Sequence, residues 1–151
     1  MQVRRARESD VEGVLKNAES FFNASPMQST SAFDHAGFEA FFINALESED
    51  IVFFVAVDGE TVIGICAALV YPLYFAPTER IAQELFWWLD EAYRDSGLGG
   101  QLFSSIEAWA KEKNARQLFM IALEDENINL MKRIYHKKGF TPIERTFAKE
   151  L

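Results

Sequence analysis

Apolar residues recur along this chain in two rhythms, and each change of rhythm marks an element. "QVRRAR" near the start reads as a short first strand, and Ser9 or Asp10 is placed to cap a helix running to about Phe22. "NASPMQSTSAF" breaks the pattern with a proline and small polar residues, which predicts a mobile surface loop. Helical spacing resumes in "FEAFFINAL". "IVFFVAV", "DGE" and "TVIGICAALVYP" predict two strands joined by a tight turn, with Asp58-Gly59 as the hairpin signal and Pro72 as the end of the second strand. "YPLYFAPTER" reads as an aromatic loop and "IAQELFWWL" as a further strand.

Helical spacing returns at Leu98, Leu102, Ile106, Trp109 and Ala110, followed by strand-like "QLFMIAL". Ile128, Met131 and Tyr135 share one face of a last helix, stopped by Gly139, with Lys137 and Lys138 at its negative end. "FTPI" and "RTFAKEL" predict a final pair of strands. No repeat or flexible linker divides the chain, so residues 1–151 read as one unit. Paired strands followed by a strand-helix-strand unit predict an α/β (α+β) sandwich with a mixed sheet.

Composition narrows the chemistry. With 151 residues, 49% of them apolar, the chain is long enough to bury a core. A net charge of -8 argues against nucleic acid as a partner, since phosphate contacts need clustered Lys and Arg. It is compatible with a cationic partner or an anion held by backbone donors, but solubility alone is the ordinary reason for such a charge. Cys66 is the single cysteine, which excludes an internal disulfide and a cysteine-rich metal site; in "VIGICAALV" it reads as a small buried hydrophobe. His35 and His136 lack the partners a metal or catalytic histidine needs. The first residues lack the apolar core of a secretion signal, and no apolar run reaches membrane-spanning length. A cytoplasmic protein without a membrane partner is the expectation.

The segment "YRDSGLGGQLF" places Gly97, Gly99 and Gly100 where a helix begins. Glycine in a first turn costs roughly 0.5–1 kcal/mol relative to alanine. A glycine-rich turn between strand and helix exposes unpaired amides at the positive end of the helix dipole, a natural seat for phosphate. Gln101 follows where a Walker loop needs lysine, and Leu102 stands where the dinucleotide fingerprint needs its third glycine. Close packing of the helix on its strand accounts for the glycines equally well.

"RDSGLG", Arg94 to Gly99, resembles the Arg/Gln-x-x-Gly-x-Gly/Ala signature of the GNAT N-acetyltransferase superfamily, and "IYHKKGF" resembles that family's Tyr-x-x-x-Gly-Phe ending. The element order is similar over essentially the whole chain. "AQELFWWLDEAYRDSGLGGQLF" and the terminal "KEL" are most similar to a subgroup often encoded by tailed phages. The resemblance implies a GNAT-like, mostly antiparallel sheet flanked by helices and splayed between strands 4 and 5. It also implies acetyl-CoA as cofactor. Main-chain amides from Arg94, Asp95, Ser96, Gly97, Leu98, Gly99 and Gly100 would then hold the pyrophosphate. The backbone of Trp87, Trp88 and Leu89 would pair with pantetheine. The Arg94 side chain either adds a contact or is a solvated surface arginine.

For catalysis, the resemblance implies Tyr135 as the acid that protonates the leaving thiolate; packing on the apolar face is its alternative. Glu84 matches a strand glutamate that often deprotonates the amine through water. Strict alternation places it with Ala82, Phe86 and Trp88, where a carboxylate must be solvated, paired or shifted in pKa. A structural ion pair with an arginine of the first strand is the other reading. The oxyanion donor would be a main-chain amide near Leu89. Asn127 and Asn129 straddle, without matching, the position of a family asparagine, and capping suits them better. Phe21, Phe22, Tyr71, Tyr74 and Phe75 fall in the acceptor-site segments or belong to the core. The acceptor would be an amine of a small molecule or protein. A coenzyme-binding module without turnover, and a pure interaction protein, remain rival readings, and a homodimer stays open.

Overall fold

The computed structural model describes residues 1–151. Five strands form one sheet in the order β1-β2-β3-β4-β5: β1 (Gln2–Arg5), β2 (Ile51–Asp58), β3 (Thr61–Leu73), β4 (Ala76–Leu89) and β5 (Gln117–Phe119). The first three pairings are antiparallel and the β4–β5 pairing is parallel. Helices α1 (Val11–Ala24) and α2 (His35–Leu46) join β1 to β2, α3 (Leu98–Glu112) joins β4 to β5, and α4 (Ile128–Lys137) follows.

The sheet separates two cores, which is why β2 and β3 are apolar on both faces. Val14, Ala18, Phe42 and Ala45 of α1 and α2 pack with Phe53, Val55, Ile65 and Phe86 on one side. Leu98, Leu102, Ile106 and Trp109 of α3 pack with Val52, Phe54, Cys66 and Ala82 on the other. A side chain of this size contributes roughly 1.5–3 kcal/mol on full burial. Asp10 does not cap α1 through its side chain. Its carboxylate takes both guanidinium nitrogens of Arg4, at 2.7 and 2.8 Å, together with the Arg7 amide, and the Arg4 bond holds its pKa below the usual carboxylate range.

Several sequence expectations need correction. The loop expected at residues 23–33 carries a 3-10 turn, Pro26–Ser29, whose Ser29 hydroxyl donates to Pro26. Pro72 does not end β3, which continues to Leu73; the aromatic loop shrinks to a hairpin tip at Tyr74 and Phe75. β5 spans three residues rather than seven. "FTPI" and "RTFAKEL" form no strand, because β5 offers so short a partner. No helix is long and apolar enough to cross a membrane.

Glu84 pairs with Ala68 and Phe86 with Ala67, so Leu85 is an extra residue, a β-bulge. It reverses which face the following side chains occupy. Glu84 stays on the α3 side with Ala82, while Phe86 and Trp88 turn to the α1–α2 side. The strict alternation that grouped all four therefore fails at Leu85.

Candidate active site

β4 and β5 share only the rungs Ile81–Gln83 with Gln117–Phe119 and then part. From Glu84 onward, β4 keeps β3 on one side and has no strand on the other. The Asp90 amide donates to Ile63 of β3, and the Leu89 carbonyl accepts from Arg94 Nε at 3.2 Å. Alternation then turns the main-chain groups of Trp88 toward β3 and those of Trp87 and Leu89 toward the open edge. Of the three residues implied for pantetheine, two have backbone to offer.

The chain leaves β4 through a 3-10 turn, Glu91–Ser96, opened by the Tyr93 amide donating to Asp90 O at 2.9 Å. Arg94, Asp95 and Ser96 thus lie inside that turn. Gly97 then reverses direction at φ 81°, a left-handed conformation that a side chain would strain. Ser96 Oγ donates to Tyr93 O and accepts the Leu98 amide, stitching the turn to α3. The first helical bond runs from Gln101 to Gly97, so the amides of Gly99 and Gly100 meet no acceptor in the protein. A Cβ on Gly100 would meet nothing within 4 Å, and one on Gly99 only ordinary contacts with Trp87 and Leu89. Packing of α3 on the sheet therefore does not demand these glycines. Two free amides at a helix start, with no neighbour crowding Gly100, fit a phosphate group.

Arg94 is committed to the end of β4: its guanidinium lies 5.1 Å from the Trp88 ring centroid. The exposed Asp95 carboxylate brings no favourable charge to an anion site. Trp87 packs on Phe103 at 6.0 Å, beneath Gly99, and Trp88 packs on Phe21 at 6.4 Å. Both indoles thus support the open edge from opposite faces of the sheet.

Past the last shared rung lies the group that the motifs alone do not assemble. Glu84, 3% exposed, accepts the Ile121 amide on Oε2 at 2.8 Å, and Tyr135, 8% exposed, donates its hydroxyl to the Ile121 carbonyl at 2.8 Å. Neither arginine of β1 reaches Glu84; Arg4 binds Asp10 and Arg5 lies 3.4 Å from Glu112. Glu84 Oε1 takes no hydrogen bond from the protein. Burial pushes Glu84 up to about 7 against the pull of the Ile121 amide. Burial, then the Glu84 charge and Cys66, raises Tyr135 well above the usual phenol range, so it keeps its proton. Burial likewise holds the Cys66 thiol neutral.

Tyr135 is fixed by the end of its helix. The Phe140 amide donates to Tyr135 O and the Gly139 amide to His136 O, a Schellman closure that needs Gly139 at φ 86°. It brings the Phe140 ring to 5.7 Å from that of Tyr135. Asn127 precedes α4 without a side-chain cap; Asp125 instead accepts the Asn127 amide at 2.8 Å. Ile121 was invisible to sequence reasoning, because an isoleucine that works through its peptide carries no side-chain signal.

Among the acceptor-segment residues, Phe21 packs on Phe86 at 5.9 Å and Phe22 on Phe33 at 5.8 Å. Tyr71 donates to Gln83 Oε1 at 2.6 Å, while Tyr74 and Phe75 stack at 4.3 Å on the exposed hairpin tip.

Because Glu84 titrates higher in the folded protein than its ordinary 4.5, it favours folding fully below that value and loses this contribution as pH rises through about 7. Glu84→Gln is therefore expected to stabilise the protein at pH 8 by on the order of 3 kcal/mol, with the gain fading toward pH 4–5. Thermal melts of both proteins across that range check it.

The acetyltransferase (GNAT) family model matches residues 18–140. No curated protein sequence matches the chain. Among solved structures, the chain is similar to the apo aminoglycoside antibiotic 6'-N-acetyltransferase AAC(6')-IG from Acinetobacter haemolyticus, with a TM-score of 0.75, 17% identity, and 100% of this chain and 99% of that chain covered. A transcriptional regulator from Bacillus halodurans C-125 aligns with a TM-score of 0.79 and 18% identity over 99% of both chains. AAC(6')-Iy, in complex with the bisubstrate analog CoA-S-monomethyl-acetylneamine, aligns with a TM-score of 0.76 and 14% identity over 99% of this chain and 97% of that one. At such identities the structural likeness carries the fold, and the family model carries the membership. The parted strands, the glycine turn and the tyrosine helix all lie within the matched residues, and the chain belongs to the acetyltransferase (GNAT) family.

Proposed function

We propose that the protein moves an acetyl group from acetyl-CoA to a primary amine, of a small molecule or a protein, by direct attack within a ternary complex. The observation that carries this reading is the continuity of one open edge. It begins at the free amides of Gly99 and Gly100, follows the unpaired side of β4 past Leu89 and Trp87, and ends at Glu84 and Tyr135. A phosphate at one end and an extended amide-bearing arm along the edge suit coenzyme A, by addition of a surrogate strand.

When bound, acetyl-CoA supplies the activated acetyl group as a thioester. The chain's own residues bind it, orient it and manage two protons. Gly99 and Gly100 amides would hold the pyrophosphate, each charged hydrogen bond contributing about 1.5–3 kcal/mol. Trp87 and Leu89 would pair through their backbone. Glu84, half ionised near neutral pH, would take a proton from the acceptor amine through Oε1, directly or by way of water. Tyr135 would hold its phenolic proton for the departing sulfur, turning it away from the Ile121 carbonyl. The negative net charge favours a cationic acceptor.

Calorimetric titration with acetyl-CoA, followed by thiol release over a panel of amines, tests the proposal. Binding together with turnover on at least one amine is the expected result. Tight binding without turnover on any amine would leave only a coenzyme-holding module.

A further inference from the structure

Ile121 lies two residues beyond the last rung of β5, and its peptide has left the ladder. A peptide that loses its strand partner must find other partners or face water. Here both of its polar groups are met by side chains from two other elements. Glu84 of β4 accepts the N–H and Tyr135 of α4 donates to the C=O, each at 2.8 Å. Glu84 is the first β4 residue after the shared rungs, so the capture occurs where the strands part. Tyr135 is tied to the Gly139 turn through its carbonyl and packs beside the Phe140 ring, contacts independent of the peptide it binds. Cys66 of β3 is the remaining titratable neighbour of the pair, and its thiol is neutral.

The alternative for the Ile121 peptide is to continue the parallel ladder. The open edge of β4 lies alongside, with its own unpaired groups. Pairing there would satisfy both strands and close the gap between them. Two side chains that bind the Ile121 peptide compete directly with that closure.

We propose that Glu84 and Tyr135 are positioning residues as well as catalytic ones: by capturing the Ile121 peptide from both ends, they hold β5 off β4 and keep open the gap that receives the coenzyme arm. The inference rests on the coenzyme site proposed above. It assigns to these two residues a part in cofactor affinity that proton transfer alone does not predict, because binding of coenzyme A makes and breaks no covalent bond.

The test is calorimetric titration of the full chain with coenzyme A, with no acceptor present, on the parent and on Glu84→Gln, Glu84→Leu and Tyr135→Phe. Glutamine keeps an oxygen that can accept the Ile121 amide, so its affinity should stay within about twofold of the parent. Leucine removes the acceptor and phenylalanine removes the donor, and each should weaken binding by about tenfold. The double variant Glu84→Leu/Tyr135→Phe should lose less than the product of the two, since both bonds act on one peptide. Tyr135→Phe retains the ring packing and carries the test if Glu84→Leu fails to fold. Unchanged affinity in both the leucine and phenylalanine variants would overturn the inference, as would a glutamine variant as weak as leucine. A parent that does not bind coenzyme A would overturn the site itself, a failure distinguishable from either of these.

Discussion

The Gly100→Glu variant is expected to melt higher than the parent while its affinity for coenzyme A falls by about 100-fold or more. Both halves follow from the first turn of α3. Position 100 is helical, and a Cβ there meets nothing within 4 Å, so the side chain is accommodated without a clash. Replacing glycine restores helix propensity, and a carboxylate near a helix start interacts favourably with the dipole; together these are worth about 1 kcal/mol. For a chain of this length that raises the melting temperature by about 2–4 °C. The same carboxylate occupies the space above the free amides of Gly99 and Gly100 and repels a phosphate. Losing two charged hydrogen bonds, each worth at least about 1.5 kcal/mol, corresponds to about 100-fold in affinity. Calorimetry of melting and of coenzyme binding on one preparation reads both effects. A variant that melts higher yet binds coenzyme A like the parent would place the diphosphate elsewhere.

Turnover supplies the second large effect. Glu84→Gln is expected to lower kcat by about 10²- to 10⁴-fold, the usual span for a general base. In the parent, kcat should rise with pH through about 7 as the buried carboxylate ionises, and the variant should lose that limb of the profile. Tyr135→Phe should lower kcat over a similar span without removing the limb, since burial keeps its phenol protonated throughout the neutral range. Steady-state rates between pH 5.5 and 9 separate the two residues. A glutamine variant with an unaltered rate and profile removes Glu84 from proton transfer, and a phenylalanine variant with the parent's kcat does the same for Tyr135.

Local chemistry made some of this legible in the sequence. The Asp58-Gly59 turn, the helix after Gly97 and the stop at Gly139 depend on neighbouring residues and fall where their patterns predict. The parallel pairing of β4 with β5 follows from the strand-helix-strand order. Long-range pairing hid the rest. Nothing near Leu85 announces a bulge; it arises from how β4 registers on Ala67 and Ala68, and it moved Phe86 and Trp88 to the opposite face from Glu84. "RTFAKEL" has strand-forming residues, yet a strand also needs a partner edge, and β5 has three residues to offer. Glu84 and Tyr135 were visible as separate candidates, 51 positions apart by their numbering. That they grip the same peptide could be learned only from the folded chain.

The stretch of β4 from Glu84 to Leu89 has a neighbour on one side alone. Such a border is an invitation to any extended polypeptide, including the same stretch in another molecule. The Leu85 bulge and Arg94, seated on the Leu89 carbonyl, blunt it at two points and leave the length between them bare. A small molecule lying there would do for solubility what a sixth strand does in a closed sheet. Preparations stripped of it should clump first, and through this border.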